Sequence, residues 1–189
     1  MLEELVRKSR SVRRFIEAEP IPEAVLRELV GLMPFIPSTR NRQALRFLIS
    51  ADRERNALIF PCLRFAAQLD WDGPAEGERP TGYIVILGPR SEDTERDEGA
   101  AAQTLMLAAA ERGWAGCILG SVDRVRLDRE LAIPEVWEAK LVLAFGKAGE
   151  TVVTEPVGAG ESLRYWRDEA GVHHVPKIRP EELILGPDV

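Results

Sequence analysis

Arg10-Ser11-Val12-Arg13-Arg14 sets a hydroxyl among guanidinium groups. This is chemistry suited to a terminal phosphate: arginine donates paired hydrogen bonds to phosphate oxygens, and serine adds a neutral donor. Far away in sequence, Lys177-Ile178-Arg179 offers two more cations that could close on the same group. Read alone, each run fits a solvated basic surface as well. Between them, Pro37-Ser38-Thr39-Arg40-Asn41-Arg42-Gln43 carries hydroxyls and amides. Such side chains can donate to a carbonyl and accept from an N–H along the edge of a heteroaromatic ring, or simply cap a turn. The small residues of Gly113-Trp114-Ala115-Gly116-Cys117-Ile118-Leu119-Gly120-Ser121 let backbone approach a flat ligand, or punctuate a strand.

Other chemistries lack their residues. No GxGxxG follows a strand, and neither a phosphate-loop GxxxxGK[ST] nor a GxSxG elbow is present. Cys62 and Cys117 form no CxxC pair and have no zinc spacing with the histidines, so no metal site is expected. A histidine-dependent triad could run only through His173 or His174, which read instead as a strand or turn with one side exposed.

The elements that must hold these segments follow from hydropathy. Leu2, Leu5 and Val6 give a short helical face, and Val25, Leu26, Leu29, Val30 and Met33 recur at helical spacing until Pro34 and Pro37. Residues 45–51 read as a strand and 59–69 as an apolar helix despite Pro61. Residues 70–82, rich in Gly, Pro and acid, form a long loop that could act as a lid or a partner contact. Strand 83–87, helix 97–112 with Gly113 at its C-cap, strand 117–119, helix 122–131 and strand 141–145 follow. The order points to an α+β or α/β sandwich around a central sheet. The polar stretch 150–189 shows no apolar period, cannot build its own core and is expected to wrap over a neighbouring subunit.

The 189 residues suffice for one substantial domain. A net charge of −6 argues against coating nucleic acid. No secretory signal and no membrane-length apolar run is seen, so a cytoplasmic protein without membrane or nucleic-acid partners is expected.

Taken in order, SRSVRRF at 9–15, PSTRNRQALRF at 37–47, DEGAAAQTLMLAAAERGW at 97–114 and LVLAFGKAGE at 141–150 resemble the nitroreductase family across about residues 5–180. A closer likeness is to small nitroreductase-like proteins sharing GPAEGERPTGYIVIL at 73–87 and RYWRDEAGVHHVPK at 164–177. The resemblance implies an α+β nitroreductase-like fold: a central mixed, mostly antiparallel sheet flanked by helices, in one domain that forms an intertwined homodimer. It implies one flavin mononucleotide (FMN) per subunit at the interface, with NADH or NADPH as transient reductant. By that resemblance Arg10, Ser11 and Arg13 match the phosphate-binding start, and Lys177 and Arg179 the basic close on the same phosphate. Pro37, Ser38, Thr39 and Asn41 match a segment reaching the flavin from the other subunit, and Ile118, Leu119 and Gly120 a loop over the ring.

The implied reaction is ping-pong hydride transfer from NAD(P)H to a small organic acceptor such as a nitroaromatic or quinone, with no side-chain acid or nucleophile required. The alternatives are a flavin-fragmenting or dehalogenating relative, or a flavin-binding protein without turnover. The chain departs from the family pattern at Ser9, where an arginine is usual, and at Ala44, where a proline is usual. Arg40 and Arg42 make the second segment unusually basic; with Arg46 they are candidates to stabilise a reduced, anionic flavin.

Overall fold

A computed structural model describes residues 1–186 of the chain. The central sheet contains β1 (Arg46–Ser50), β2 (Gly82–Pro89), β3 (Ala115–Leu119) and β4 (Trp137–Gly146), in the order β1-β2-β4-β3 with every neighbour antiparallel. A parallel bridge from Ser11 to Gly116 extends it past β3. The period-2 alternation of strands sorts the core into two layers. Ile84 and Ile86 of β2 and Leu143 and Phe145 of β4 meet α2 (Glu23–Val30) and α4 (Glu95–Glu111) on one face. Tyr83, Val85, Val142 and Ala144 meet the segment around Ile59–Phe65 and α5 (Arg124–Glu130) on the other. The α+β expectation and the sheet flanked by helices are both borne out.

Helix α1 (Leu2–Lys8) precedes the basic run, which is held in place by backbone. Val12 N donates to Gly116 O, and Phe15, 2% exposed, forms a bridge to Ala148. Gly149 makes this docking possible. A Cβ there would lie 2.8 Å from the carbonyl carbon of Phe15 and 2.9 Å from its oxygen, and backbone cannot rotate away as a side chain can. Gly149→Ala is therefore expected to destabilise the fold by roughly 1–3 kcal/mol, read as a lowered urea midpoint with an unchanged slope.

Two elements differ from expectation. No helix spans 59–69. Instead α3 (Arg53–Ile59) starts earlier, capped by Asp52, whose side chain accepts from Arg55 N. A 3-10 turn, Phe60–Cys62, follows and places Pro61 where its missing N–H costs nothing; Cys62 is buried at its end, and Phe65 and Ala66 in the irregular chain beyond. The polar tail is also ordered: β5 (Val152–Val157), β6 (Trp166–Arg167) and β7 (His173–Ile178) form a small second sheet, with β5 and β7 parallel. Among the described residues, no helix is long and apolar enough to cross a membrane.

Candidate functional site

The second sheet carries the end of the chain back to its beginning. Glu150, whose side chain is 1% exposed, accepts from Arg13 N at 2.5 Å and Arg14 N at 3.2 Å. Its other oxygen takes two hydrogen bonds from Arg167, at 2.8 and 3.2 Å. The Arg167 guanidinium stacks on Trp71 at 4.1 Å, with Arg14 over the same ring at 5.5 Å. This buried knot fixes β6 and β7 against the basic run.

A cavity of about 300 Å³ opens between them. Arg10, Ser11 and Arg13 line it from the basic run, Ile118 from β3, and Lys177 from β7. Gln103 and Met106 of α4 and Tyr165 of the tail complete the parts that matter, and no carboxylate lines the wall. A second cavity of about 210 Å³ adjoins it, sharing Ser9, Arg10, Met106 and Val152, and runs toward Trp114. The Arg10 guanidinium donates to Ser9 O and Val6 O, closing α1. Arg13 donates to Ser11 O and faces His173 Nε2 at 3.3 Å. Among the described residues, no ion pair engages Arg10, Arg13 or Lys177. Three cations without acid partners, in a chain with net charge −6, give this wall a local positive charge whose chemistry suits an anion.

The predicted residues do not all meet there. Arg179 lies past β7, its guanidinium 3.4 Å from Glu182. Ile118 and Leu119 belong to β3 rather than to a loop: Ile118 faces the cavity, Leu119 is buried in the opposite core layer, and Gly120 follows the strand end. Pro37, Ser38, Thr39 and Asn41 lie in the chain that leads into β1, the strand at the edge of the sheet opposite β3.

There they are held by Asp97, in the first turn of α4. Its carboxylate accepts from Ser38 Oγ at 2.8 Å, Thr39 Oγ1 at 2.7 Å and Thr39 N at 2.9 Å. Burial pushes this carboxyl upward, but the Thr39 and Ser38 hydrogen bonds prevail and keep it below the usual range. Asn41 Oδ1 accepts from Gln43 Nε2. Arg40, Asn41 and Gln43 all adopt φ between 47° and 54°, a left-handed backbone that asparagine tolerates but that is disfavoured for arginine and glutamine. Arg42 pairs with Glu92 at 2.7 Å, and Arg46 donates to the carbonyls of Gln43 and Leu45 while stacking on Trp137. Pro37, Ser38 and Gln43 border an apolar cavity of about 230 Å³ with Met33 and Phe47. The loop 70–82 does not line the anion cavity. Its residues Glu76, Gly77 and Arg79 border a separate space of about 690 Å³, and Glu78 pairs with Arg14.

Sequence reasoning missed Glu150, Asp97, Tyr165 and the burial of His173. The two histidines do lie in a strand, but His173 is 0% exposed. Arginine can only donate, so Nε2 accepts from Arg13 and the proton sits on Nδ1, which has no partner among the described residues. Burial, with the Arg13 charge next in weight, depresses His173 from 6.5 to about 4; Glu150, Arg167 and His174 are the other charged or titratable groups around it. A base whose folded value is depressed stabilises the fold fully above the ordinary 6.5, and that stability is lost as pH falls toward 4. The loss is expected to approach about 3 kcal/mol, and His173→Gln should flatten urea midpoints across that window. His174 has the opposite sign. Hydrogen bonds to Asp168 and Glu155 raise it, so its contribution is present below 6.5 and lost as pH rises through the raised value.

A sequence model of the nitroreductase family matches residues 89–147, from the end of β2 through β4. Among solved structures, the FMN-dependent nitroreductase NfnB of Mycobacterium smegmatis in complex with NADPH aligns at TM-score 0.63 and 18% identity, over 78% of this chain and 87% of that one. The fold is that of the nitroreductases. An FMN-dependent nitroreductase from Clostridium difficile gives TM-score 0.64 and 17% identity, over 77% and 86% of the two chains. A nitroreductase-like protein from Streptococcus mutans gives 0.66 and 16%, over 79% and 91%. The resemblance is thus borne out in the fold, with the sequence match lying in the stretch from the end of β2 through α4 to β4, and the nitroreductase fold accounts for the sheet and its flanking helices.

Proposed function

We propose that the chain is a flavin oxidoreductase that binds FMN, takes reducing equivalents from NADH or NADPH, and passes them to a small organic acceptor such as a nitroaromatic or quinone. The observation that carries this reading is the acid-free cavity where Arg10, Ser11, Arg13 and Lys177 converge. Its donor set fits a phosphate monoester, and Met106, Ile118 and Val175 beside it supply the apolar wall a flavin needs. The chemistry a bound flavin supplies is two-electron transfer between nicotinamide and acceptor. In this chain Arg10, Ser11, Arg13 and Lys177 would hold the phosphate, and Met106, Ile118 and Val175 would border the ring.

We further propose a homodimer in which the loop 37–43 completes the partner's site. On one chain that loop and the anion cavity lie at opposite sheet edges. Helix α4 joins them: Asp97 anchors the loop, and Gln103 and Met106 line the cavity. Around Gln103 the outward residues of α4 are small or apolar, Gly99, Ala100, Thr104 and Leu107, with the charged Glu95, Arg96 and Glu111 at its two ends. A two-fold axis near Gln103 would set the partner's Asp97 loop about 9 Å past it, beside the cavity. Exposed Phe35, Leu183, Ile184 and Leu185 provide further apolar surface, and of the extension 150–189 expected to wrap over a neighbour we assign the segment 179–186 to the partner's surface. A cytoplasmic setting accords with two buried, unpaired thiols.

Steady-state kinetics with FMN-loaded protein test the reading. Parallel double-reciprocal lines, with NADPH and a nitroaromatic varied, are the expected result. Intersecting lines would contradict ping-pong transfer. FMN binding without oxidation of NADH or NADPH would make the protein a flavin carrier.

A further inference from the structure

Arg13 is held on two sides by groups that carry no charge. Its Nη1 donates to His173 Nε2 at 3.3 Å, and its guanidinium carbon lies 5.0 Å over the ring of Tyr165. Tyr165 and His173 pack on each other with ring centroids 5.2 Å apart. The guanidinium is therefore fixed along one edge by an acceptor and across its face by a ring. A carboxylate in the place of His173 would fix the same geometry but cancel the charge. Burying the imidazole also leaves Nδ1 without a partner, a cost an aliphatic side chain would not incur, so the contact with Arg13 is what the position gains.

We propose that His173 is a positioning residue: a neutral acceptor that, with Tyr165, aims Arg13 across the cavity at a phosphate without neutralising it. This rests on the reading that the cavity takes the phosphate of FMN.

The test compares FMN with riboflavin, which lacks the phosphate, by fluorescence titration of flavin-free protein. His173→Leu is expected to weaken FMN roughly tenfold and leave riboflavin within about twofold. His173→Gln, whose amide oxygen reaches the place of Nε2, should restore most of the loss. Arg13→Ala combined with His173→Leu should be no worse for FMN than Arg13→Ala alone. Should His173→Leu not fold, Tyr165→Leu removes the second support and is expected to give the same FMN-selective loss. Equal weakening of both ligands would make His173 a structural residue and overturn the proposal. If Arg13→Ala weakens FMN selectively and neither His173→Leu nor Tyr165→Leu does, the positioning role falls and the phosphate reading stands. If Arg13→Ala does not separate FMN from riboflavin, the phosphate reading itself falls.

Discussion

Glu150→Ala is expected to lower stability by roughly 3–5 kcal/mol, the largest effect of any single polar substitution in this chain. The carboxylate is almost fully buried and serves four hydrogen bonds, two from backbone N–H groups at Arg13 and Arg14 and two from Arg167. Its removal would strand the Arg167 side chain, 12% exposed, beside two unpaired buried donors. Such groups cost far more left alone than the pair gained by forming. Because the knot joins the basic run to the tail sheet, the anion cavity should open as well, with FMN affinity falling alongside the urea midpoint. A loss below about 1 kcal/mol would place Glu150 among ordinary surface carboxylates and would refute its role as the clasp.

The second large effect concerns assembly. Ala100→Arg is expected to weaken the proposed dimer by about a hundredfold or more, since a two-fold contact doubles every insertion and sets like charges against each other. Ala100 sits on the outward face of α4, three residues from Gln103, where the long side chain meets no part of its own subunit's core. Light scattering should report twice 21.1 kDa for the native chain and 21.1 kDa for the variant. Flavin affinity should fall with it, because the loop held by Asp97 leaves the partner's cavity. A variant that stays dimeric with full flavin affinity would move the interface away from α4.

Residues that act through local pattern are legible in the amino-acid sequence alone. The run Tyr83–Leu87 marks a strand buried on both faces, and the Ala-rich segment ending at Gly113, with φ of 77°, marks α4. The basic start is legible as a candidate phosphate binder because its chemistry is local, although read alone it fits a solvated surface as well. The tail cannot be read in this way. Its parallel pair β5 and β7 joins Val152 to His173 across twenty residues, and prolines at 156 and 176 look like breakers. Pro156 sits on an edge strand, and Pro176 lies beyond the reach of β6, which pairs only with His173 and His174, so neither missing N–H breaks the ladder. Glu150 and His173 are illegible for a related reason. Their burial comes from contacts with Arg13 and Arg167, and nothing in the spacing of charged residues marks which of them will meet. The helix expected at 59–69 fails because its buried apolar residues Ile59, Cys62 and Phe65 pack on the sheet without helical periodicity.

The most direct test of flavin oxidoreductase function is anaerobic. Protein loaded with FMN is mixed with NADPH, then with NADH, and the visible flavin absorbance is followed. One of the two is expected to bleach the bound flavin, and a nitroaromatic or quinone added afterwards should restore the colour. Bound flavin that stays oxidised with both reductants would contradict the oxidoreductase function.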